Sequence, residues 1–509
     1  MPQNVSETKK PSLALFSRAA ENAARTAVRD SSGTYTYGEL LHGSAGIAAA
    51  LLDGARDLGE ARVAFLVSPG FDHVCVQWAI WRAGGVAVPL CSAYPAAELE
   101  YQIDDADVGI VVAEGESSKT LGEIARRGGR RFLTLDELRT PDAVSIDLPS
   151  LDPARRAMIL YTSGTTSRPK GVVSTHAGMQ AQIEMLVGAW EWESADRILH
   201  VLPLHHVHGI VNVLLCALWS GATCDFLPRF DAQEVWKSFV TKPLTLFMAV
   251  PTIYVKLISA WEAAEPTTRR EWSEACSKMR LMVSGSAALP VSVLERWLEI
   301  SGHVLLERYG MTEVGMALSN PLRGERRAGS VGMPLPGVEI QLLDDEGEPV
   351  VDGDSGEIHV RGPAVFQEYW QRAEATREAF RGRWFRTGDV AVLEDGSYRI
   401  LGRNSVDIIK TGGYKVSALE IEEVLRTHPD IQECAVVGLP DDEWGERVAC
   451  AVVCRESSSL NVDALRSWAR DRIAPYKIPT RLVKIGSLPR NALGKVTKPV
   501  VVELFKNAN

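Results

Sequence analysis

Short apolar runs separated by longer amphipathic segments dominate the first 320 residues. The runs 62–66, 86–90 and 109–113 predict buried strands, and the apolar segment 71–83 between the first two predicts a helix. Strands joined by helical crossovers pair in parallel. The same rhythm recurs over 157–315, so the sequence predicts the α/β fold class with mixed, largely parallel sheets.

The pattern changes after residue 330. Short strands with Gly, Pro and Asp turns over 330–402 predict a mostly antiparallel β lobe. Beyond it, two helical segments and three strand-like runs predict a small α+β domain of about a hundred residues, and Ser417 with Glu420 predicts a capping box at its first helix. We therefore expect a large N-terminal domain over 1–402 and a small C-terminal domain over 403–509.

Composition and charge narrow the classes of function. The chain has 509 residues, 46% of them hydrophobic and 24% charged, which indicates a globular protein with more than one core. A net charge of −10 disfavours a nucleic-acid partner, and no apolar run reaches the length of a membrane span. Eight scattered cysteines without a Cys-x-x-Cys pair, and a start without a secretory apolar core, predict a cytoplasmic location.

The most informative polar segment follows the predicted strand 157–161. Residues 162–171 read Thr-Ser-Gly-Thr-Thr-Ser-Arg-Pro-Lys-Gly. Backbone N–H groups and hydroxyls in such a turn bind phosphate oxygens, and Lys170 adds a positive charge. No Gly-Lys-Ser/Thr closes the segment, so it is not the common P-loop. A simple turn is the alternative interpretation.

A second candidate segment is 307–313, Glu-Arg-Tyr-Gly-Met-Thr-Glu. Tyr309 offers a flat surface for a nucleobase, Thr312 a hydroxyl, and Glu313 a carboxylate oxygen of the kind that Mg²⁺ prefers. Taken alone, the segment is equally typical of a strand-to-helix junction.

Three single residues further along the chain complete the set. Asp389, beside a glycine, suits the two hydroxyls of a ribose, although a β-turn aspartate is the alternative. Arg403 follows Gly402, and Lys495 follows a glycine-containing turn near the C-terminus. Lysine is usually a solvated surface residue, so Lys495 is a candidate site residue only in combination with the other segments.

In this order and spacing, the five elements resemble the adenylate-forming family of acyl-CoA synthetases, aryl-CoA ligases and peptide-synthetase adenylation domains. The resemblance spans essentially the whole chain. It implies that ATP activates a carboxylic acid as an acyl-adenylate and that the thiol of coenzyme A then displaces AMP. The implied cofactors are ATP, Mg²⁺ and coenzyme A, and the implied partners are small-molecule substrates; the oligomeric state stays open.

The resemblance also implies a role for each residue. Tyr309 would pack on adenine, Asp389 and Arg403 would hold the ribose, and Glu313 would bind Mg²⁺. Lys495, Thr312 and His206 would be the catalytic residues, with Lys495 bridging the carboxylate and the phosphate. The β- and γ-phosphates would be held by Thr162, Ser163, Gly164, Thr165, Thr166 and Lys170.

A mobile C-terminal domain is a further implication of the resemblance. This domain would rotate after adenylation, with a hinge within 404–407, so that Lys495 leaves the site. A loop lining the thiol tunnel would replace it, formed by Lys410, Gly412, Gly413, Tyr414 and Lys415.

Residue 308 is the clearest sequence signal for the acid substrate. Arg308 precedes Tyr309 in a predicted strand, so its side chain should face the opposite side. A guanidinium facing the acyl pocket suits a second carboxylate, and a structural ion pair is the alternative. The resemblance places Ser286 and Lys256 at the same pocket and His206 near the reacting carboxylate; a histidine in a packed turn is the alternative for His206.

Longer stretches resemble malonyl-CoA synthetases within that family, namely 202–209, 284–290, 307–313 and 407–415. We therefore expect an ATP-dependent malonate–CoA ligase, with methylmalonate as a second substrate. One alternative is a CoA ligase for another short or aromatic acid. A carrier-loading adenylation domain is disfavoured because no carrier follows residue 509, and a non-catalytic nucleotide-binding regulator is disfavoured because Thr312, Glu313 and Lys495 are all present.

Overall fold

Two largely parallel sheets form the main body of the computed structural model, which describes residues 13–139, 147–162, 169–455, 458–491 and 494–506. Within these ranges the larger sheet has nine strands, parallel in the centre and antiparallel at both edges. From edge to edge its strands are Met333–Pro334, Gly315–Ser319, Leu306–Met311, Leu281–Ser284, Leu246–Ala249, Arg197–His200, Thr223–Phe226, Thr26–Arg29 and Thr34–Thr36.

The second sheet of the main body has seven strands in the described chain. Its parallel part is extended at one edge by an antiparallel hairpin and a two-residue strand. In spatial order the strands are Glu368–Tyr369, Lys170–Thr175, Arg156–Thr162, Val86–Pro89, Arg62–Leu66, Ile110–Ala113 and Arg131–Thr134.

Two smaller sheets complete the fold. The β lobe is antiparallel throughout its described strands, Glu339–Leu343, Ser355–Arg361, Phe380–Arg381, Trp384–Glu394 and Ser397–Arg403. The last sheet is antiparallel except for one parallel pair and comprises Ile408–Thr411, Tyr414–Ser417, Ile431–Asp441, Gly445–Cys454 and Arg481–Lys484.

Helices connect and cover the sheets. The α-helices are Ala14–Glu21, Tyr37–Leu52, Phe71–Arg82, Ala96–Asp105, Ser117–Arg127, Leu135–Leu138, His176–Ala189, Cys216–Ser220, Ala232–Thr241, Pro251–Ala263, Pro266–Ser277, Val291–Ser301, Ala373–Glu378, Ala418–Leu425, Val462–Ala469 and Lys498–Lys506. A π-helix covers His208–Leu215, and a 3₁₀ turn covers Pro475–Lys477.

The strand Arg62–Leu66 shows why the parallel strands are apolar along their whole length. Val63 and Phe65 belong to one buried cluster, whereas Ala64 belongs to another on the opposite side. Successive strand residues point to opposite faces, so both faces of this sheet are covered, as parallel sheets require. The α/β fold class predicted from the sequence is confirmed.

Most predicted elements are present, with ends shifted by a few residues. The predicted helix 71–83 is Phe71–Arg82, and the predicted strand 86–90 is Val86–Pro89. The predicted division of the chain between residues 402 and 403 stays a prediction. Arg403 itself ends a strand of the β lobe, and the first strand of the last sheet begins at Ile408.

The predicted capping box at Ser417 is only half correct. The Ser417 hydroxyl accepts the Glu420 backbone N–H at 3.2 Å, which is the N-cap half of the motif. The Glu420 carboxylate instead accepts from the Lys477 ammonium at 2.7 Å. An available ammonium competes successfully for a carboxylate that would otherwise turn back to the helix start.

Two further sequence expectations concern the cysteines and membrane spans. All eight cysteines are free thiols and all except Cys454 are buried, as is usual for a free cysteine, which packs as a small apolar residue. None of the helices in the described ranges is long and apolar enough to cross a membrane.

A buried ion-pair network joins the C-terminal helix to the segment that follows Arg403. The Lys498 ammonium lies 2.6 Å from the Asp407 carboxylate and 2.9 Å from the Glu422 carboxylate. Although burial opposes charging, these two carboxylates raise the pKa of Lys498 above its usual value. Asp407 also accepts the Arg403 backbone N–H at 3.0 Å. The network therefore fixes the start of the last helix, three residues after Lys495, against 403–407.

Replacing Lys498 tests how much this network stabilises the small sheet. We expect Lys498→Met to lower the free energy of unfolding by roughly 3 kcal/mol, because it leaves Asp407 without its ammonium while Arg426 still pairs with Glu422. Urea unfolding followed by circular dichroism measures the loss. The control Lys506→Met removes an exposed ion pair on the same helix and should cost less than about 1 kcal/mol. Equal effects would contradict the account.

Candidate active site

The carboxyl ends of neighbouring parallel strands bring the predicted site residues together. Strands Leu281–Ser284 and Leu306–Met311 are neighbours in the nine-stranded sheet, and one strand separates Leu281–Ser284 from Arg197–His200. The segments that follow the first two carry His206 and Ser286, and the third contains Arg308 and Tyr309. This edge of an open parallel sheet is where ligands bind in α/β proteins.

The predicted phosphate segment is a hairpin whose tip is outside the described residues. Thr162 and Lys170 are paired across its two strands, whereas Ser163, Gly164, Thr165 and Thr166 lie outside the described ranges. The Lys170 ammonium lies 4.9 Å from the centre of the Tyr369 ring. The Tyr369 hydroxyl in turn donates to Glu313 Oε1 at 2.9 Å. The structure thus links Lys170 and Glu313 through one tyrosine.

The carboxylate of Glu313 is buried, and neighbouring protein groups offset only part of the cost of burying its charge. Burial raises its pKa, while the hydrogen bond from Tyr369 and the charge of Arg403 oppose that shift. Among the described residues, no group of three or more His, Cys, Asp or Glu side chains is arranged to hold a metal. Glu313 therefore fits a Mg²⁺ that takes its remaining oxygens from phosphate and water. Thr312 precedes it, partly buried, in the turn between two strands.

Tyr309, Asp389 and Arg403 form one hydrogen-bonded group. The Tyr309 hydroxyl donates to Asp389 Oδ2 at 2.6 Å, and Arg403 Nε donates to Asp389 Oδ1 at 2.9 Å. Burial and the Asp389 charge raise the pKa of Tyr309 well above its usual value, so the hydroxyl remains a donor. Asp389 and Arg403 are directly opposite each other on paired strands of the β lobe. Thr387 Oγ1 accepts the Asp389 backbone N–H at 3.0 Å.

Lys495 reaches this site from the C-terminal part of the chain. It remains solvent-exposed, yet desolvation by the surrounding protein lowers its pKa, and the charges of Arg403 and Arg308 lower it further. Asp389 and Glu313 oppose the shift. Its loop is held by hydrogen bonds with Asn491, and a Cβ on Gly494 would lie 3.5 Å from the Thr252 hydroxyl.

Arg308 faces away from Tyr309, as strand alternation requires. Its side chain is buried, and Nη2 donates to the Ser286 hydroxyl at 3.2 Å, while Nε has no hydrogen-bond partner among the described residues. No described carboxylate lies within ion-pair distance of it, so the structure does not support the alternative of a structural ion pair. Burial lowers the pKa of Arg308 to about 9.

The backbone next to Arg308 leaves room for the guanidinium. A Cβ at Gly285 would lie 2.5 Å from Arg308 Cζ, so only glycine leaves this space free. Ser286 adopts φ +68°, a conformation that costs energy in a non-glycine residue and that recurs at ligand sites. The segment after strand Leu281–Ser284 thus places a strained serine against the arginine.

The histidine segment that follows strand Arg197–His200 lies in the same cluster. Burial lowers the pKa of His206, and the His205 and Lys495 charges lower it further, so its imidazole is neutral near pH 7. His208 begins a π-helix, a rare element found often at functional sites. Gly209 permits this turn because a Cβ there would lie 2.3 Å from the Pro203 carbonyl oxygen.

The structure does not bring Lys256 into this cluster. Lys256 is exposed on helix Pro251–Ala263, and its ammonium lies 5.6 Å from the centre of the Phe230 ring. No hydrogen bond or ion pair between described residues joins it to Arg308 or Ser286. Helix periodicity turns the Lys256 position outward, which the sequence position alone did not reveal.

The predicted thiol-tunnel loop is a β-hairpin that contacts the β lobe. Strands Ile408–Thr411 and Tyr414–Ser417, which carry Lys410 and Lys415, are joined by Gly412 and Gly413, both at positive φ, which suits a two-residue turn. Tyr414 stacks on Tyr476 with ring centres 4.3 Å apart. Lys415 donates to Asp345 of the β lobe at 2.6 Å. In this arrangement Lys495, rather than the hairpin, occupies the site.

Sequence reasoning missed three residues of the site. Tyr369 donates to Glu313, Gly285 makes room for Arg308, and His208 Nδ1 lies 3.1 Å from the Ser286 hydroxyl. The His-x-His spacing of His206 and His208 was a usable signal. Tyr369 and Gly285 matter because each contacts a residue that is distant in sequence, and no local sequence pattern predicts such a contact.

Comparisons with known proteins agree with this geometry. The AMP-binding enzyme family matches residues 15–370, and the AMP-binding enzyme C-terminal domain matches 420–495. The mitochondrial malonate–CoA ligase ACSF3 of Homo sapiens is 46% identical over 97% of this chain and 92% of its own length. The malonate–CoA ligase of Arabidopsis thaliana is 41% identical over 97% and 88%.

A solved structure is similar over nearly the whole chain. ATP-bound MatB from Rhodopseudomonas palustris matches with a TM-score of 0.89 and 32% identity, covering 97% of this chain and 99% of that one. The likeness extends over both the main body and the C-terminal part of the chain.

Asp389 offers a direct test of the hydrogen-bonded group. We expect Asp389→Asn to weaken ATP binding roughly 10- to 100-fold, because it removes the charge that pairs with Arg403 and a carboxylate suited to accept from nucleotide hydroxyls. Isothermal titration with ATP and Mg²⁺ measures the change. Asp395→Asn, exposed on the turn of the same hairpin, is the control and should leave the affinity unchanged. Unaltered binding in Asp389→Asn would show that this carboxylate does not touch the nucleotide.

Proposed function

The chain belongs to the family of AMP-binding enzymes, and from this premise we propose that it is an ATP-dependent malonate–CoA ligase. The reaction passes through a malonyl-adenylate and releases AMP and pyrophosphate, and methylmalonate is a second expected substrate. Support comes from relatives whose names state malonate–CoA ligase activity, at 41–47% identity over nearly the whole chain.

The buried guanidinium of Arg308 carries the proposal. An unpaired charge in a protein interior costs several kcal/mol unless an opposite charge joins it. With a pKa of about 9, Arg308 is charged near pH 7, and no described carboxylate compensates it. Malonate has a second carboxylate one carbon away from the reacting one, so binding would supply the missing anion. A monocarboxylic acid would leave Arg308 uncompensated.

The adenylation step follows from the charges around the reacting centre. The near carboxylate attacks the α-phosphate of ATP, and two anions approach each other only where fixed positive charge offsets their repulsion. We assign this offset to Lys495, and the α-phosphate contact to Thr312. His206, neutral and half-buried, would orient the reacting carboxylate. Mg²⁺ held by Glu313 would supply further positive charge to the phosphates.

The nucleotide contacts complete this assignment. Thr162 and Lys170, with Ser163, Gly164, Thr165 and Thr166 between them, would hold the β- and γ-phosphates. Tyr309 would pack on adenine, and Asp389 with Arg403 would hold the ribose.

The thiolysis step requires a second arrangement of the chain. We assign residues 1–402 to an adenylation domain and 403–509 to a domain that rotates about 404–407. Rotation would withdraw Lys495 and bring the hairpin with Lys410, Gly412, Gly413, Tyr414 and Lys415 to the thiol of coenzyme A. Separate buried clusters within residues 409–505 support a domain with its own core.

The proposed location is the cytoplasm. Eight free cysteines favour a reducing compartment. The names of the vertebrate relatives place those proteins in mitochondria, so fractionation of cells that express the chain is the appropriate test.

Arg308 provides the test of the malonate assignment. We expect Arg308→Ala to cost about 2–5 kcal/mol of transition-state stabilisation for malonate, because it removes the partner of the second carboxylate. Activity on acetate or propionate should fall much less. Comparing kcat/KM for malonate and acetate through AMP release measures this difference.

Two further variants serve as controls for Arg308. Arg308→Lys keeps the charge but lacks the planar fork, so its loss should be intermediate. Lys256→Ala removes an exposed ammonium and should change the malonate preference little. Parallel losses on malonate and acetate in Arg308→Ala would make Arg308 structural and favour a ligase for another short or aromatic acid.

Lys495 provides the test of the two-step assignment. Lys495→Ala should abolish formation of the acyl-adenylate, because the reacting anions lose their mobile cation, and should spare thiolysis of a supplied acyl-adenylate. Pyrophosphate release and CoA-thioester formation, assayed separately, measure the two steps. Lys506→Ala, near the end of the last helix, is the control and should alter neither. Equal loss in both steps would refute the assignment.

A further inference from the structure

One short segment connects two parts of the site that lie in different sheets. Lys170 begins a strand of the seven-stranded sheet, and Glu313 lies in a turn between two strands of the nine-stranded sheet. Tyr369 pairs with the strand that begins at Lys170. The Phe366 backbone N–H donates to the Glu313 backbone carbonyl at 2.7 Å. The segment from Phe366 to Tyr369 is therefore bonded to both parts through its backbone.

The side chain of Tyr369 contacts the same two residues. It is buried, and its hydroxyl donates to Glu313 Oε1 at 2.9 Å. The Lys170 ammonium lies 4.9 Å from the centre of its ring, a distance at which the face of an aromatic ring attracts a cation. The Phe366 ring packs against the same ring with centres 4.7 Å apart. The tyrosine is therefore held through its hydroxyl, its ring and its backbone.

A hydrogen bond from a tyrosine fixes the direction of a carboxylate without neutralising its charge. The Tyr369 hydroxyl has one proton to donate, whereas an ionised carboxylate has about four acceptor positions on its two oxygens. The bond to Oε1 therefore leaves acceptor positions on Glu313 for a cation. Mg²⁺ requires oxygen ligands in near-octahedral geometry at short distances, so the orientation of a ligating carboxylate affects metal affinity.

We infer that Tyr369 is a positioning residue, whose hydroxyl orients the Glu313 carboxylate as a ligand of nucleotide-bound Mg²⁺. The inference rests on the proposed function, which supplies the roles of ATP, Mg²⁺ and Glu313, and extends it to a residue that acts through Glu313. Because the same ring lies against Lys170, one side chain fixes the proposed magnesium ligand relative to the proposed phosphate-binding lysine. Groups that hydrogen-bond a metal-binding carboxylate typically affect metal affinity about 10- to 100-fold.

Packing alone is the alternative role for Tyr369. The residue belongs to a buried apolar cluster, and a loss of packing would weaken ATP binding whether or not Mg²⁺ is present. Positioning of Glu313 predicts instead a loss confined to the part of the affinity that depends on Mg²⁺. The two roles are therefore separable by comparing ATP binding with and without the metal.

Isothermal titration with ATP, in the absence of acid and coenzyme A, makes this comparison. Each protein is titrated once with Mg²⁺ and once with EDTA, and the ratio of the dissociation constant in EDTA to that in Mg²⁺ is its magnesium gain. Tyr369→Phe removes the hydroxyl and keeps the ring beside Lys170. The control Tyr398→Phe removes a hydroxyl from the same buried cluster at the same exposure, 8%. No hydrogen bond between described residues joins the Tyr398 hydroxyl to Glu313.

We expect Tyr369→Phe to lower the magnesium gain about tenfold, with the affinity in EDTA changed by less than about twofold. Tyr398→Phe should match wild type under both conditions. Glu313→Gln should lose most of the gain, because it removes the charge of the proposed ligand. Adding Tyr369→Phe to Glu313→Gln should cause little further loss, because the hydroxyl acts through that carboxylate.

Three outcomes would overturn the inference and leave packing as the role of Tyr369. These are a wild-type gain in Tyr369→Phe, an equal loss with Mg²⁺ and with EDTA, and a full second loss in the double variant. None of them contradicts the malonate–CoA ligase assignment. A wild type that binds no ATP, or a Glu313→Gln variant with the gain of wild type, would instead refute the assignment of Glu313 as the magnesium ligand and the inference with it.

Discussion

An uncompensated positive charge at the edge of the large sheet is the constraint on which this site depends. Arg308 is buried over Gly285 and bonded to a strained Ser286, with no described carboxylate to neutralise it. Arg403 and Lys495 lie close enough for their charges to affect one another. A chain with a net charge of −10 thus concentrates cations where anionic substrates must meet. Their mutual repulsion is relieved when phosphates and carboxylates enter.

The placement of Lys495 connects this electrostatic arrangement to the C-terminal part of the chain. The Lys498 network fixes the last helix against 403–407. Glu423 accepts the backbone N–H of Val291, at the start of the helix that follows the Ser286 segment, at 2.9 Å. Lys415 reaches Asp345 of the β lobe. One of the contacts that dock the small sheet therefore reaches the helix that follows the Ser286 segment.

The sequence predicted the layers and most of the site because local patterns encode them. Continuous apolar runs such as 62–66 indicate strands buried on both faces, and the alternation at 308 and 309 predicted opposite orientations for Arg308 and Tyr309. The outward orientation of Lys256 was not predicted, because the direction of a helical side chain depends on which face the helix buries. The absence of a described partner carboxylate for Arg308 also depends on tertiary structure, and so does the contact of Tyr369 with Glu313.

A crystal structure with a non-hydrolysable malonyl-adenylate analogue bound tests the central claim most directly. The account predicts that the free carboxylate of the analogue lies within about 3 Å of the Arg308 guanidinium. A free carboxylate directed to solvent or to Lys256, with Arg308 still bonded to protein atoms alone, would contradict it.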